Sequence, residues 1–82
     1  LDVQNSSLED GVSVQQWEFL GGGNQLWRID RTATDTFTVR SANGGKVLDV
    51  RGGSAATDDG VPLQQWEDLN GANQSWLLQP VN

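Results

Sequence analysis

An all-β fold is what this sequence predicts, and three features predict it. The apolar residues fall in short or alternating runs, and clusters of Gly, Asn, Asp and Ser separate those runs. No stretch has the length or the 3.6-residue period of a helix. A strand is expected near residues 1–4, where Leu1 and Val3 flank Asp2, and a second near 12–19, where Val12 and Val14 alternate with polar residues. Others follow near 25–31 around Trp27 and Ile29, near 36–41 around Phe37 and Val39, and near 46–51 around Val47, Leu48 and Val50. The last two are expected near 61–67 and 74–79. The breaks fall at 5–11, 20–24, 32–35, 42–45, 52–60 and 68–73. Asp10-Gly11 and Asp59-Gly60 are turn dipeptides, in which glycine takes positive φ without steric cost. Gly21-Gly22-Gly23 and Asn70-Gly71 are expected at the tips of two hairpins.

An internal repeat organises these elements. Residues 1–27 run Leu1-Asp2-Val3, Asp10-Gly11-Val12, Gln15-Gln16-Trp17-Glu18 and Asn24-Gln25-Leu26-Trp27. Residues 48–76 run Leu48-Asp49-Val50, Asp59-Gly60-Val61, Gln64-Gln65-Trp66-Glu67 and Asn73-Gln74-Ser75-Trp76. All four tryptophans belong to the repeat. The second copy carries two extra loop residues between Arg51 and Asp58. The chain is therefore read as a single domain or partial domain over 1–82, with repeat one at 1–47 and repeat two at 48–82.

Alternate residues of a strand face opposite sides. Leu1 and Val3 are expected to face the core with Asp2 turned away, and Leu48 and Val50 likewise with Asp49. Val12 and Val14 share one face, Gln15 and Trp17 the other; Val61 and Leu63 oppose Gln64 and Trp66 in the same way. Each copy thus sets an acid, an amide and an indole opposite its aliphatic residues. A pyranose calls for that mixture. Its apolar C–H face packs on an aromatic plane, a carboxylate accepts from its hydroxyls, and an Asn or Gln side chain both donates and accepts.

Structural uses compete with this reading. Trp27 and Trp76, next to Ile29, Leu77 and Leu78, are expected in the core, while Trp17 and Trp66 stay open between core and platform. Asp2 and Asp49 suit local turn capping equally well. Asn24 and Asn73 also suit satisfying loop backbone, and Gln25 and Gln74 suit bonding across a hairpin. Glu18, Glu67, Asp58 and Asp68 are most simply solvated loop or edge charges.

Composition excludes several function classes. The 82 residues contain no cysteine and no histidine, which removes disulfides, thiolate metal sites, the usual zinc ligand and the commonest general base. No metal or cofactor is expected. The formal charge is −6, and Arg28, Arg31, Arg40, Lys46 and Arg51 are scattered, which argues against nucleic acid and anionic membrane surfaces. No apolar run approaches a transmembrane span, and the first residues show no signal pattern. A chain this short buries about 60–65% of its unfolded surface, so its core is marginal.

Leu-Asp-Val, Asp-Gly, Gln-Gln-Trp, Gly and Asn-Gln-x-Trp, occurring twice in order, resemble the ricin B-type lectin repeat, which also occurs in carbohydrate-binding modules of secreted glycosidases. The resemblance covers nearly the whole chain. It implies a β-trefoil, in which three repeats of four strands form a six-stranded barrel capped by three hairpins. By position it assigns Asp2 and Asp49 to the sugar hydroxyls, Gln15 and Gln64 beside them, and Trp17 and Trp66 to the aromatic platform. Asn24 and Asn73 would bond the sugar, with Gln25 and Gln74 orienting the aspartate.

Val47, Phe19 and Asp68 stand where many relatives have cysteine. The resemblance implies secretion, and the cysteine-free sequence also permits folding in a reducing compartment. With two repeats of the usual three, the trefoil is expected to be incomplete in one chain. A homo-oligomer would complete it: three chains furnish six repeats, enough for two barrels. The expected function is non-catalytic binding of galactose-like or xylose-like sugars, one site per repeat, with glycans as partners. Two alternatives stay open: the binding piece of a larger glycoside hydrolase, or an engineered or structural trefoil fragment with little sugar affinity.

Overall fold

The repeated strand signals materialise as seven short strands in the computed structural model, which describes residues 1–78. They are β1 (Asp2–Val3), β2 (Val14–Gln15), β3 (Trp27–Arg31), β4 (Thr36–Ser41), β5 (Val47–Val50), β6 (Leu63–Trp66) and β7 (Trp76–Leu77). β1 pairs antiparallel with β2, placing Asp2 opposite Gln15. β4 centres the larger sheet. β3 follows it from Trp27 opposite Ser41 to Arg31 opposite Phe37. Its other edge is divided between β5, at Arg40 opposite Val47, and β7, at Phe37 opposite Trp76. β5 pairs with β6 and places Asp49 opposite Gln64, the same juxtaposition as in the first repeat.

Several expectations need correction. The strand expected over 12–19 is only two residues long, whereas its counterpart β6 has four. β6 lies between β5 and the 11–13 segment of repeat one; among the described residues β2 pairs with β1 alone. The strand expected over 74–79 reduces to β7, and Gln79 lies outside the described residues. Gln25 and Gln74 end 3-10 turns (Gly23–Gln25, Ala72–Gln74) instead of starting strands, and a third such turn spans Gln4–Ser6. Gly21–Gly23 and Asn70-Gly71 are not hairpin tips, because the strands they link, β2 to β3 and β6 to β7, do not pair with each other.

The core is small. Val3 and Val47 are fully buried, and Leu48 and Val39 nearly so. Leu1, expected inside, is 58% exposed, and the two aspartates expected to turn away are buried, at 5% for Asp2 and 3% for Asp49. Amide donors surround each carboxylate and draw it inward (below). Trp27 and Trp76 are half-buried, not core, and each indole Nε1–H donates to the carbonyl that opens its own repeat, Leu1 O at 3.1 Å and Leu48 O at 3.2 Å. Their expected neighbours Ile29, Leu77 and Leu78 are exposed. Ile29 and Leu77 lie on opposite faces of the sheet, because their partners on β4, Val39 and Thr36, are three residues apart.

The repeats interlock through Gln65. Gly11 N–H donates to Gln65 O (2.8 Å), and Gln65 N–H donates to Val12 O (2.9 Å). The fully buried Gln65 side chain donates through Nε2 to Ser7 O and Glu9 O. Asp10 accepts from Glu67 N–H and pairs with Lys46 Nζ at 2.6 Å. The turn of repeat one is thereby fastened to the second strand of repeat two.

Candidate functional site

Each repeat folds its chemistry around one carboxylate. In repeat one Asp2 Oδ1 accepts from Gln15 Nε2 at 3.1 Å, and Oδ2 accepts from Asn24 Nδ2 at 3.1 Å and Gln25 Nε2 at 2.9 Å. In repeat two Asp49 Oδ1 accepts from Gln64 Nε2 at 2.9 Å, and Oδ2 from Asn73 Nδ2 at 3.0 Å and Gln74 Nε2 at 2.9 Å. Strand pairing supplies the first donor, because β1 and β5 set their aspartates opposite the glutamines of β2 and β6. The 3-10 turns supply the other two. A carboxylate has about four acceptor directions, so three amide hydrogens leave one open, on Oδ1.

The remaining bonds sort the amides by role. Gln25 Nε2 also donates to Glu18 O, and its Oε1 accepts from Leu20 and Gly21 N–H. Gln74 does the same with Glu67 O and with Leu69 and Gly71 N–H. Both are saturated; they hold the aspartate and the preceding loop. Asn24 and Asn73 spend their second Nδ2 hydrogen on Val3 O and Val50 O, which leaves Oδ1 as the polar atom each can offer. Alongside the contacts to aspartate, the glutamines thus bond across a loop, not a hairpin, and the asparagines satisfy strand-end carbonyls, not loop backbone. The turn capping expected of the aspartates is not met.

Beside each carboxylate lies an open hollow with an indole in its wall. The first, about 470 Å³, is lined by Asp2, Gln15, Trp17 and Asn24, with Gln25 behind. The second, about 540 Å³, is lined by Asp49, Gln64, Trp66 and Asn73, with Gln74 behind. All ten expected site residues come together, five to a hollow. Trp17 is 63% exposed and Trp66 half-buried, so neither is core.

Side-chain pattern missed part of the walls. Leu20 and Leu69 line equivalent positions, as do Gly22 and Gly71. A Cβ on Gly22 would lie 2.7 Å from Asn24 Oδ1, and one on Gly71 2.6 Å from Asn73 Oδ1. Their identity in both copies was the available signal. The floors differ: Gln4, Asn5 and Ser6 in the first, Arg51, Gly52 and Gly53 in the second. Asp68, expected as a solvated charge, accepts from Arg40 Nη2 at 2.8 Å and from Asn70 N–H at 3.0 Å. The Asn70 N–H bond, then Arg40, holds its carboxyl below the ordinary aspartate range. Among the described residues no group of three His, Cys, Asp or Glu side chains is placed to hold a metal ion.

Each hollow therefore offers a carboxylate oxygen, a carboxamide oxygen and an indole face. These suit a ligand that donates hydroxyl hydrogens on one side and presents C–H groups on the other.

Comparison with known proteins agrees with the fold. A designed 3-fold symmetric protein, ThreeFoil, superposes with a TM-score of 0.93 at 37% identity, covering 99% of this chain and 56% of its own. An exo-beta-1,3-galactanase from Clostridium thermocellum superposes with a TM-score of 0.90 at 39% identity, over 98% of this chain and 17% of its own. The chain thus spans about half of the first and a much smaller part of the second. Among curated proteins no relative matches. The model of the ricin-type beta-trefoil lectin domain-like family matches residues 1–66. With the fold, the repeat and this match in agreement, the chain belongs to the ricin-type β-trefoil lectin family.

Proposed function

We propose that this chain is a non-catalytic carbohydrate-binding module with one site per repeat, for galactose-like or xylose-like sugars. The observation that carries the reading is the duplicated carboxylate cluster, wired alike in both copies and set beside an indole in an open hollow. Asp2 and Asp49 accept a sugar hydroxyl on the free direction of Oδ1, assisted by Asn24 and Asn73 Oδ1. Trp17 and Trp66 pack on the C–H face. Gln15, Gln64, Gln25 and Gln74 orient the carboxylates. Two sites on one body gain by avidity on multivalent glycans. Glycosidases work with two carboxylates about 5–9.5 Å apart, and each hollow here is lined by one. Asp2→Ala with Asp49→Ala is expected to abolish retention on immobilised galactose or xylose. Undiminished retention of the double variant would overturn the assignment.

One observation favours a second setting. The chain aligns with a small part of an exo-beta-1,3-galactanase, so the same module would serve as the binding piece of a larger glycoside hydrolase. Binding to β-1,3-linked galactan in preference to monomeric galactose supports that setting, and equal affinity per site counts against it.

We also propose that a second copy of the chain completes the trefoil. Repeat one fastens its Asp10–Val12 turn to Gln65 and Glu67, beside Trp66. Repeat two carries the same Asp59-Gly60-Val61 turn, and repeat one carries the same Gln16-Trp17 edge, with Gln16 and Trp17 exposed. A copy that lays its Asp59–Val61 turn behind Trp17 would repeat the contact. Sedimentation should show a self-associated species, with the trimer expected from the repeat count. A well-folded monomer at high concentration would refute it.

A further inference from the structure

We infer that the second hollow accepts a sugar bearing an anionic group, while the first takes neutral sugars. This rests on the carbohydrate-binding reading above and deepens it. The two hollows share their carboxylate, amides and indole but differ in one charged side chain: Arg51 lines the second where Gln4 lines the first. Arg51 follows Asp49-Val50 as Gln4 follows Asp2-Val3, so the replacement sits at matching places in the two floors.

The guanidinium is held, not loose. Its Nε donates to Gln64 Oε1 at 3.1 Å, and Nη2 donates to Gly11 O at 3.3 Å and Ser13 Oγ at 3.2 Å. The strand that places Gln64 and the interlocked turn of repeat one therefore fix its position. Nη1 has no hydrogen-bond partner among the described residues, and Arg51 makes no ion pair among them, unlike Arg28, Arg40 and Lys46. Arg31 shares that lack of an ion pair but lies over the Phe37 ring; of the five basic residues Arg51 alone lines one of the two duplicated hollows.

Ligand chemistry follows from the donor count. The first hollow leaves Asp2 Oδ1, Gln15 Oε1 and Asn24 Oδ1 open as acceptors, and the side chains of Gln4, Asn5 and Ser6 in its floor add only uncharged donors and acceptors. These suit neutral hydroxyls. In the second hollow Gln64 Oε1 is already engaged by Arg51, and the Nη1 hydrogens add donors with a full positive charge. A sugar carboxylate or sulfate ester supplies acceptors for them, and charge-assisted hydrogen bonds of this type outweigh neutral ones.

The test uses the full chain in two backgrounds: Asp2→Ala leaves the second site, Asp49→Ala leaves the first. Titration calorimetry with galactose, galacturonate and galactose 6-sulfate is run at low and physiological salt. In the Asp2→Ala background at least one anionic sugar is expected to bind about fivefold or more tightly than galactose, with the advantage shrinking as salt rises. Which anion gains identifies carboxylate or sulfate. Arg51→Gln, which installs the first repeat's residue, should abolish the advantage, read as the ratio of anionic-sugar to galactose affinity; Arg51→Lys, which keeps the charge, should retain part of it. The Asp49→Ala background should show no anionic advantage. Galactose binding without anionic preference, or a preference unaltered by Arg51→Gln, overturns this inference alone. Failure to bind any of the three sugars, or xylose titrated beside them, overturns the carbohydrate-binding reading and this one with it.

Discussion

The two repeats hold the same carboxylate cluster, bond for bond, in different surroundings. Around Asp49 the side chains of Gln64 and Gln74 are buried; around Asp2 those of Gln15 and Gln25 are half-exposed. Gly11 of repeat one lies behind Trp66, and Trp17 lacks such a neighbour among the described residues. Repeat two pins its 68–70 loop to β4 through Asp68 and Arg40, where repeat one has the exposed Phe19. Even the floors follow this division. Asn5 and Ser6 take left-handed φ near +55° where the second copy has Gly52 and Gly53, which take positive φ freely. The polar cluster and the lining of each hollow are thus properties of one repeat, whereas the backing of Trp66 and the anchoring of Arg51 are supplied by the neighbouring repeat.

The largest expected effect separates the copies by burial. Asp49→Ala leaves the amides of Gln64, Asn73 and Gln74 without their shared acceptor, and two of those side chains have little access to water. Unsatisfied buried donors cost about 1–3 kcal/mol each, and relaxation offsets part of it, so a loss of about 3 kcal/mol is expected. Asp2→Ala strands three amides in half-exposed positions, where water replaces the aspartate, and about half that loss is expected. Urea unfolding of the two single variants measures the difference. Equal losses would mean that the enclosure of the second cluster carries no energetic weight.

Support across the repeat boundary is tested by Gly11→Ala. Gly11 has φ +83°, where an L side chain costs about 1–2 kcal/mol, and its Cβ would meet Trp66 Cζ3 at an ordinary 3.5 Å. The change lies in repeat one, yet its damage should fall on repeat two. Ligand affinity at the Asp49 site should drop more than at the Asp2 site, read in the single-site backgrounds. The reverse order would break the picture of one repeat backing the site of the next.

Gly22→Ala and Gly71→Ala sharpen the comparison from the other side, because both hollows should respond alike. Each glycine has extended φ, so alanine is acceptable to the backbone. The added Cβ collides with an asparagine oxygen that its own Nδ2 bonds hold in place. About a tenfold loss of affinity per site is expected, equivalent to about 1.4 kcal/mol, with little change in unfolding. Calorimetry in the single-site backgrounds would show it.

Much of this was legible because it is local. The repeat displayed the cluster members at fixed spacing, and strand alternation put Gln64 with Trp66 on a shared face, as β6 places them; Trp17 lies beyond the two-residue β2 yet lines the same hollow as Gln15. β4 was readable to the residue, since its alternating run is paired on both edges. Alternation failed at Asp2 and Asp49. It treats a charged residue as outward-facing, whereas three amides from distant loops make a buried carboxylate acceptable. It failed again at Trp27, Ile29, Leu77 and Leu78, which are half-buried or exposed despite their apolar character. Arg51 was visible only as one of five scattered cations, because its role depends on Gly11 and Ser13 in the other repeat.

The smallest expected effect concerns acid. Asp68 accepts a backbone hydrogen bond from Asn70 and an ion-paired one from Arg40, and its carboxyl titrates below the ordinary aspartate range. A carboxyl with a depressed folded pKa contributes its stability above the unfolded value. That contribution is lost as pH falls through the folded value. The wild type should therefore lose a small increment of melting temperature below about pH 4, and Asp68→Asn should lack that increment. Because the bond pins the loop that carries Leu69, the same acidification should weaken the second site before the first, where Phe19 makes no such bond. Parallel acid titration of the two single-site backgrounds measures this order. Simultaneous loss would place the acid sensitivity in the two shared carboxylate clusters instead of in the loop that distinguishes them.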